Sequence, residues 1–197
     1  MDNGVRRINR PLFENGLVRL TALDPEKDAG TFSRFTQDPA FIKHYFDGIY
    51  RPYTVTEIKK KMKEMLKKAG DRRSHYYFAV REKEDGRLVG LVKLGYLDGS
   101  NQYTWMYIDM IDDQVFDAHG RPVLKMVLEY AFLELSLHRV SVHMPAYRTH
   151  EMEIYEEAGF LRESQRRQAV FHDGEYYDEL VYSLLRPEWK KLVQEVA

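Results

Sequence analysis

Apolar positions in this chain recur with two periods, and the switches between them divide it into elements. Leu17 to Leu23 alternates weakly and predicts a first strand. Asp24 ahead of Pro25 is an N-cap followed by proline at the first helical position, so a helix starts there. From Asp38 to Tyr53 aromatic residues crowd between Pro39, Gly48 and Pro52, which predicts an irregular connection. Thr54 and Glu57 form a capping box, and Val55, Ile58, Met62, Met65 and Leu66 follow at helical spacing as far as Gly70. The other face carries Lys59, Lys60, Lys61, Lys63, Lys67 and Lys68, either as a solvated face or as one that meets an anion or a partner.

The middle of the chain alternates with period two. Tyr76 to Glu82 and Leu88 to Leu97 flank the turn Glu84-Asp85-Gly86 as a hairpin, and Tyr103 to Met110 is a third strand after Asp98-Gly99-Ser100-Asn101. A helix is expected from Pro122 to about Leu135, its apolar face made by Val123, Leu124, Val127, Leu128, Ala131, Phe132 and Leu135. Arg139 to Met144 is a short strand, and Thr149 to Ala158 a helix ended by Gly159 at the C′ position. Two strands around His172-Asp173-Gly174 and a short helix from Pro187 close the sequence. The sum is an α/β (α+β) architecture: a mixed, mostly antiparallel central sheet of about seven strands with helices on both faces.

Composition narrows the class. The chain has 197 residues, 44% hydrophobic and 31% charged, which suits one domain over 1–197 with its core at about 17–189. A formal net charge of -1 predicts no general affinity for nucleic acid or anionic membrane. With no cysteine there is no disulfide, thiolate metal site or thiol nucleophile. The seven histidines show no metal-ligand spacing, so no metal is expected. No signal peptide or membrane span is read in the sequence, and a cytoplasmic location is the expectation. No nucleophile elbow or Walker loop occurs.

Between the third strand and the helix at Pro122 lies Asp117-Ala118-His119-Gly120-Arg121, a βα turn with small residues at its tip. Such a turn aims backbone N–H groups and the positive end of a helix at an anion, with Arg121 and Lys125 adding charge. Phosphate is a plausible guest, although a glycine and an alanine in a βα loop also arise for packing alone.

Several runs carry a family resemblance. Lys125-Met126-Val127-Leu128-Glu129-Tyr130-Ala131-Phe132, Leu135 with His138-Arg139-Val140, Ile154-Tyr155-Glu156-Glu157-Ala158-Gly159-Phe160, Arg167 to Asp178 and Tyr182 to Trp189 resemble the GNAT superfamily of acetyltransferases, in its branch that acetylates protein N-termini, ribosomal proteins included. The resemblance implies a sheet splayed between its fourth and fifth strands, with a slot there for the pantetheine arm of acetyl-CoA as co-substrate. It implies that backbone at Met110, Ile111 and Asp112 pairs with that arm, and that the pyrophosphate sits on Ala118, His119, Gly120, Arg121, Pro122 and Val123. Two positions depart from the family pattern. The phosphate loop has Val115, Ala118 and Gly120 where relatives carry Arg or Gln, Gly, and Gly or Ala, and Pro122 removes one N–H. Arg148 replaces an asparagine that touches the cofactor, and it either reaches a phosphate or lies on the surface.

Acetyl transfer needs a neutral amine, a polarised thioester and a proton for the departing thiolate. Tyr155 matches the family's tyrosine that gives that proton. Asp109, on one strand face with Trp105 and Tyr107, is the candidate base; Asp112 and His143 compete with it, and a water chain is a further option. The acceptor is expected to be a small-molecule or peptide amine. A homodimer is possible through a sheet edge near the C-terminal hairpin. The rival reading is a GNAT-fold module that holds CoA weakly, or not at all, and does no chemistry.

Overall fold

The structure, a computed structural model, describes residues 11–38, 41, 51–72 and 74–195. Seven strands form one sheet: β1 Val18–Ala22, β2 Tyr76–Glu82, β3 Leu88–Asp98, β4 Tyr103–Met110, β5 Arg139–Pro145, β6 Leu161–His172 and β7 Glu175–Leu185. Their order across the sheet is β1-β2-β3-β4-β5-β7-β6. Every neighbouring pair is antiparallel except β4 with β5, which is parallel. The helices among the described residues are α1 Pro25–Phe35, α2 Val55–Arg72, α3 Asp113–Glu129, α4 Thr149–Glu157 and α5 Arg186–Glu195. The expected mixed sheet between two helical layers is thus the fold.

Local chemistry fixes most boundaries. The Asp24 side chain accepts from the Glu26 N–H at the start of α1. Thr54 and Glu57 satisfy each other's backbone N–H groups at the start of α2. Gly86, Gly159 and Gly174 adopt positive φ where the chain turns, as their type permits. Most of the aromatic stretch from Asp38 to Tyr53 lies outside the described residues.

The α1–α2 layer buries Phe32, Phe35, Ile58 and Met62 against Ala79, Leu88 and Leu91. Asp28 points inward from α1 and meets Arg81 of β2 at 2.6 Å, which pins the helix over the sheet. Of the lysine face, Lys59 and Lys63 pair with Glu26 of α1, so part of that face is an interhelical clamp. On the opposite face Val123, Leu124, Val127, Ile154 and Trp189 pack against Val80, Val92, Met106, Ile108, Val140, Val142 and Leu184. This second core runs under β4 and β5 alike.

One expectation is corrected. The helix after β4 starts at Asp113, not at Pro122, and Pro122 lies inside it. Asp112 caps the helix by accepting from the Val115 N–H at 2.8 Å, with Asp113 in the first turn. Phe116, Val123 and Val127 then fall on one buried face. Gly120 is small because a Cβ there would sit 3.1 Å from the Phe116 ring. The helix runs on into a π turn, Tyr130–Glu134.

Two stability measurements follow. Proline inside a helix forfeits a backbone hydrogen bond and crowds the preceding turn, so Pro122→Ala should raise stability by roughly 1 to 3 kcal/mol. A fall in the denaturant midpoint would contradict the helix as described. A Cβ on Gly90 would lie 2.5 Å from the Met110 sulfur and 2.6 Å from the Asp109 carbonyl oxygen. Gly90→Ala should therefore cost about 1 to 3 kcal/mol by overpacking, and thermal melts unchanged by the substitution would show that β3 and β4 approach less closely.

Candidate active site

β4 and β5 pair at three positions, Tyr103 with Arg139, Thr104 with Val140 and Trp105 with Ser141, and then diverge. The strands stay anchored on their outer sides, β4 by β3 and β5 by β7. The divergence opens a small cavity lined by Met106 to Asp109 of β4, Val142 to Met144 of β5, and Arg148, Glu151 and Tyr155. Past Trp105 and Ser141 the facing backbone edges lack a strand partner, so they are available to an extended, amide-bearing guest.

The floor of this fork is charged. Tyr155, on α4, is only 2% exposed and stacks edge-on against Phe160 at 5.3 Å. Asp109 and Glu151 are 9% and 5% exposed. The Arg148 side chain turns inward, its Nε 3.7 Å from a Glu151 oxygen. Arg148 therefore lines the cavity and does not lie on the open surface, which corrects that one of its two expected placements. Burial, then the Glu151 and Asp109 carboxylates, push the Tyr155 hydroxyl well above its ordinary value, with Arg148 opposing. A hydroxyl so placed stays protonated and is suited to giving a proton.

A second set of groups lines the same fork. Strand alternation puts Trp105, Tyr107 and Asp109 on the α1–α2 side of β4, away from the Met106 and Ile108 core. The Tyr107 hydroxyl lies 3.0 Å from His143 Nε2, and His143 Nδ1 lies 3.0 Å from a Glu179 oxygen. Arg166 of β6 pairs with the other Glu179 oxygen. Trp105 and Tyr107 both meet the imidazole edge-on at 5.3 Å. The sequence reading counted His143 only as a competitor for the base and missed Tyr107, Glu179 and Arg166. Their proximity is set by the register of four strands, which no local motif records.

The expected phosphate loop is not a loop. Ala118, His119, Gly120, Arg121, Pro122 and Val123 all lie within α3. His119 faces Glu82 of β2 at 3.3 Å, and Arg121 pairs with Glu157 of α4 at 2.7 Å. Val123 and Met110 are fully buried in the core. The Ile111 N–H donates to the Val89 carbonyl, and Asp112 is the cap of α3. N–H groups inside a helix are spent on its own ladder, so residues 118–123 are helical turns and not the open loop expected there. The fork suits the thioester-bearing arm of a CoA donor. Among the described residues, no cluster of side chains is arranged to hold a metal ion, and no helix is long and apolar enough to cross a membrane.

Comparison with known proteins agrees with this geometry. Residues 18–161 match the sequence model of the acetyltransferase (GNAT) domain. A Bacillus subtilis protein described as "SPbeta prophage-derived uncharacterized N-acetyltransferase YokL" is 25% identical over 173 residues, which is 88% of this chain and 92% of that protein. The spermidine N(1)-acetyltransferase of Vibrio cholerae is 26% identical over 99 residues, 50% of this chain and 57% of that one. A crystal structure of the spermidine N-acetyltransferase from Vibrio cholerae in complex with CoA and spermine superposes with a TM-score of 0.75 at 21% identity, covering 89% of this chain and 99% of that one. With the family model matching most of its length and the forked sheet in place, the chain belongs to the GNAT acetyltransferase family.

Proposed function

We infer that this protein transfers an acetyl group from acetyl-CoA to an amine at the fork between β4 and β5, with Tyr155 as the proton donor to the departing thiolate. The observation that carries the reading is the buried, protonated Tyr155 hydroxyl in a cavity formed where the sheet opens. Acetyl-CoA supplies the acyl group already activated as a thioester. Met106 to Met110 of β4 and Val142 to Met144 of β5 would receive its pantetheine arm along the edges that face each other past the end of their shared ladder. Burial first, then the Glu151 and Asp109 carboxylates, hold the Tyr155 proton in place by raising the cost of a phenolate there. This makes Asp109 a partner of the acid, although it entered as the candidate base.

The acceptor is a small-molecule or peptide amine. A polyamine is supported by the spermidine N(1)-acetyltransferase among the relatives. The second reading, a GNAT-fold module without chemistry, is favoured by the closed helix at residues 118–123. Acetyl-CoA binding separates the two. A ligand at 100 times its Kd should stabilise the protein by about 2.7 kcal/mol, and millimolar acetyl-CoA without any thermal shift would remove the enzyme reading.

If the enzyme reading holds, Tyr155→Phe should lower kcat by about 10²-fold or more, the usual size of a proton-transfer contribution, with the KM for acetyl-CoA unchanged. Equal turnover by wild type and variant, assayed with spermidine and with a short peptide bearing a free N-terminus, would take Tyr155 out of the mechanism. Because residues 118–123 are helical turns and not an open loop, S-acetylpantetheine should serve as donor with kcat/KM within about tenfold of acetyl-CoA, a gap of about 1.4 kcal/mol. A loss of about a thousandfold on the same energy scale would place a strong diphosphate grip on the protein.

A further inference from the structure

We propose that Tyr107, His143 and Glu179 form a proton relay that takes the proton from the acceptor amine, with Arg166 fixing its far end. The proposal rests on the acetyltransferase reading and adds to it the group that accepts the amine proton. Three observations carry it. The two links of the chain, Tyr107 hydroxyl to His143 Nε2 and His143 Nδ1 to Glu179, are each 3.0 Å. Tyr107 and His143 line the same cavity as Tyr155, so acid and relay address one reacting centre. The chain leads outward, because Glu179 pairs with Arg166, whose side chain is 67% exposed on β6.

The partners fix the direction of transfer. Glu179 meets Arg166 with one oxygen and His143 Nδ1 with the other, and an ionised carboxylate only accepts hydrogen bonds. His143 therefore carries its proton on Nδ1, and its bare Nε2 accepts from the Tyr107 hydroxyl. During attack the amine nitrogen forms its bond to the acetyl carbon, and its proton passes to the Tyr107 oxygen while the Tyr107 proton passes to His143 Nε2. The imidazolium so formed faces Glu179. The departing thiolate takes its proton from Tyr155, so one proton enters the relay and one leaves the acid in each turnover. His143 then releases its proton to solvent and Tyr155 recovers one from solvent, which returns both groups to their starting states. The charged groups around the relay are Lys93, whose Nζ lies 4.6 Å above the Tyr107 ring, Glu179 and Arg166 at its far end, Asp109 on the same face of β4, and Arg148 and Glu151, which line the same cavity. Tyr107 is the catalytic residue in this scheme; His143 and Glu179 act through it as positioning residues.

The relay can be read without turnover. In the wild-type protein, long-range nitrogen-15 NMR should show His143 as the Nδ1–H tautomer, and Tyr107→Phe should move the Nε2 resonance. A His143 found as the Nε2–H tautomer overturns the relay. In turnover assays with acetyl-CoA and spermidine, Tyr107→Phe and His143→Gln should each lower kcat by about 10²-fold, leave the KM for acetyl-CoA unchanged and flatten the acid limb of the pH profile. Glu179→Gln keeps the hydrogen-bonding shape but not the charge, and should lower kcat by about tenfold, at the weak end of such contributions. Wild-type activity together with variants within threefold of it sinks the relay alone. A wild-type protein that binds no acetyl-CoA and acetylates neither spermidine nor a peptide sinks the acetyltransferase reading first, and with it the relay's role.

Discussion

The short parallel contact between β4 and β5 governs the rest of this structure. Parallel neighbours are normally joined along their length, yet these two hold three positions and then part. Each strand is secured by its other neighbour, over seven positions between β5 and β7 and a long ladder between β3 and β4. The sheet therefore opens without coming apart. Past those three positions the strands share no ladder with each other. The core beneath the opening is continuous, since Met106 and Ile108 of β4 and Val140, Val142 and Met144 of β5 belong to one buried cluster with Val123, Leu124 and Val127 of α3.

The fork also explains why so many charged side chains sit inside a domain of this size. Asp109, Arg148, Glu151, Tyr155, Tyr107 and His143 reach one cavity from two strands and a helix. They divide into two groups with opposite tendencies. Around Tyr155, burial and two carboxylates oppose loss of the proton. Around Tyr107, a cation lies above the ring and an imidazole nitrogen stands within hydrogen-bond reach to take the proton. Environments that push neighbouring groups apart in this way let one site give and take protons at the same pH.

Much of this was legible from periodicity. The strands fell close to where alternation put them, and the caps at Asp24 and Thr54 and the glycine at 159 marked their helices correctly, because each acts through contacts a few residues apart. The start of α3 was misplaced because Pro122 carries a strong and usually reliable signal for the first helical position. The contrary signals were present in Asp112 followed by Asp113, an acidic cap and first turn, and in the spacing of Phe116 with Val123 and Val127. The relay had no such signal, because residues 107, 143, 166 and 179 meet only through strand register.

Gly120 shows why a small residue is weak evidence for a ligand. In a phosphate loop, glycine admits the guest's oxygens to the backbone; in α3 it admits the ring of Phe116. The same absent side chain serves binding in one case and packing in the other, and only the neighbour decides which. Here the neighbour is a buried aromatic ring, and the N–H groups around it belong to a helix capped by Asp112. The chain has thus spent Gly120 on its core where the family pattern would put an open loop. The facing edges of β4 and β5 would meet the part of the donor that carries the acetyl group, which is also where Tyr155 and Tyr107 converge.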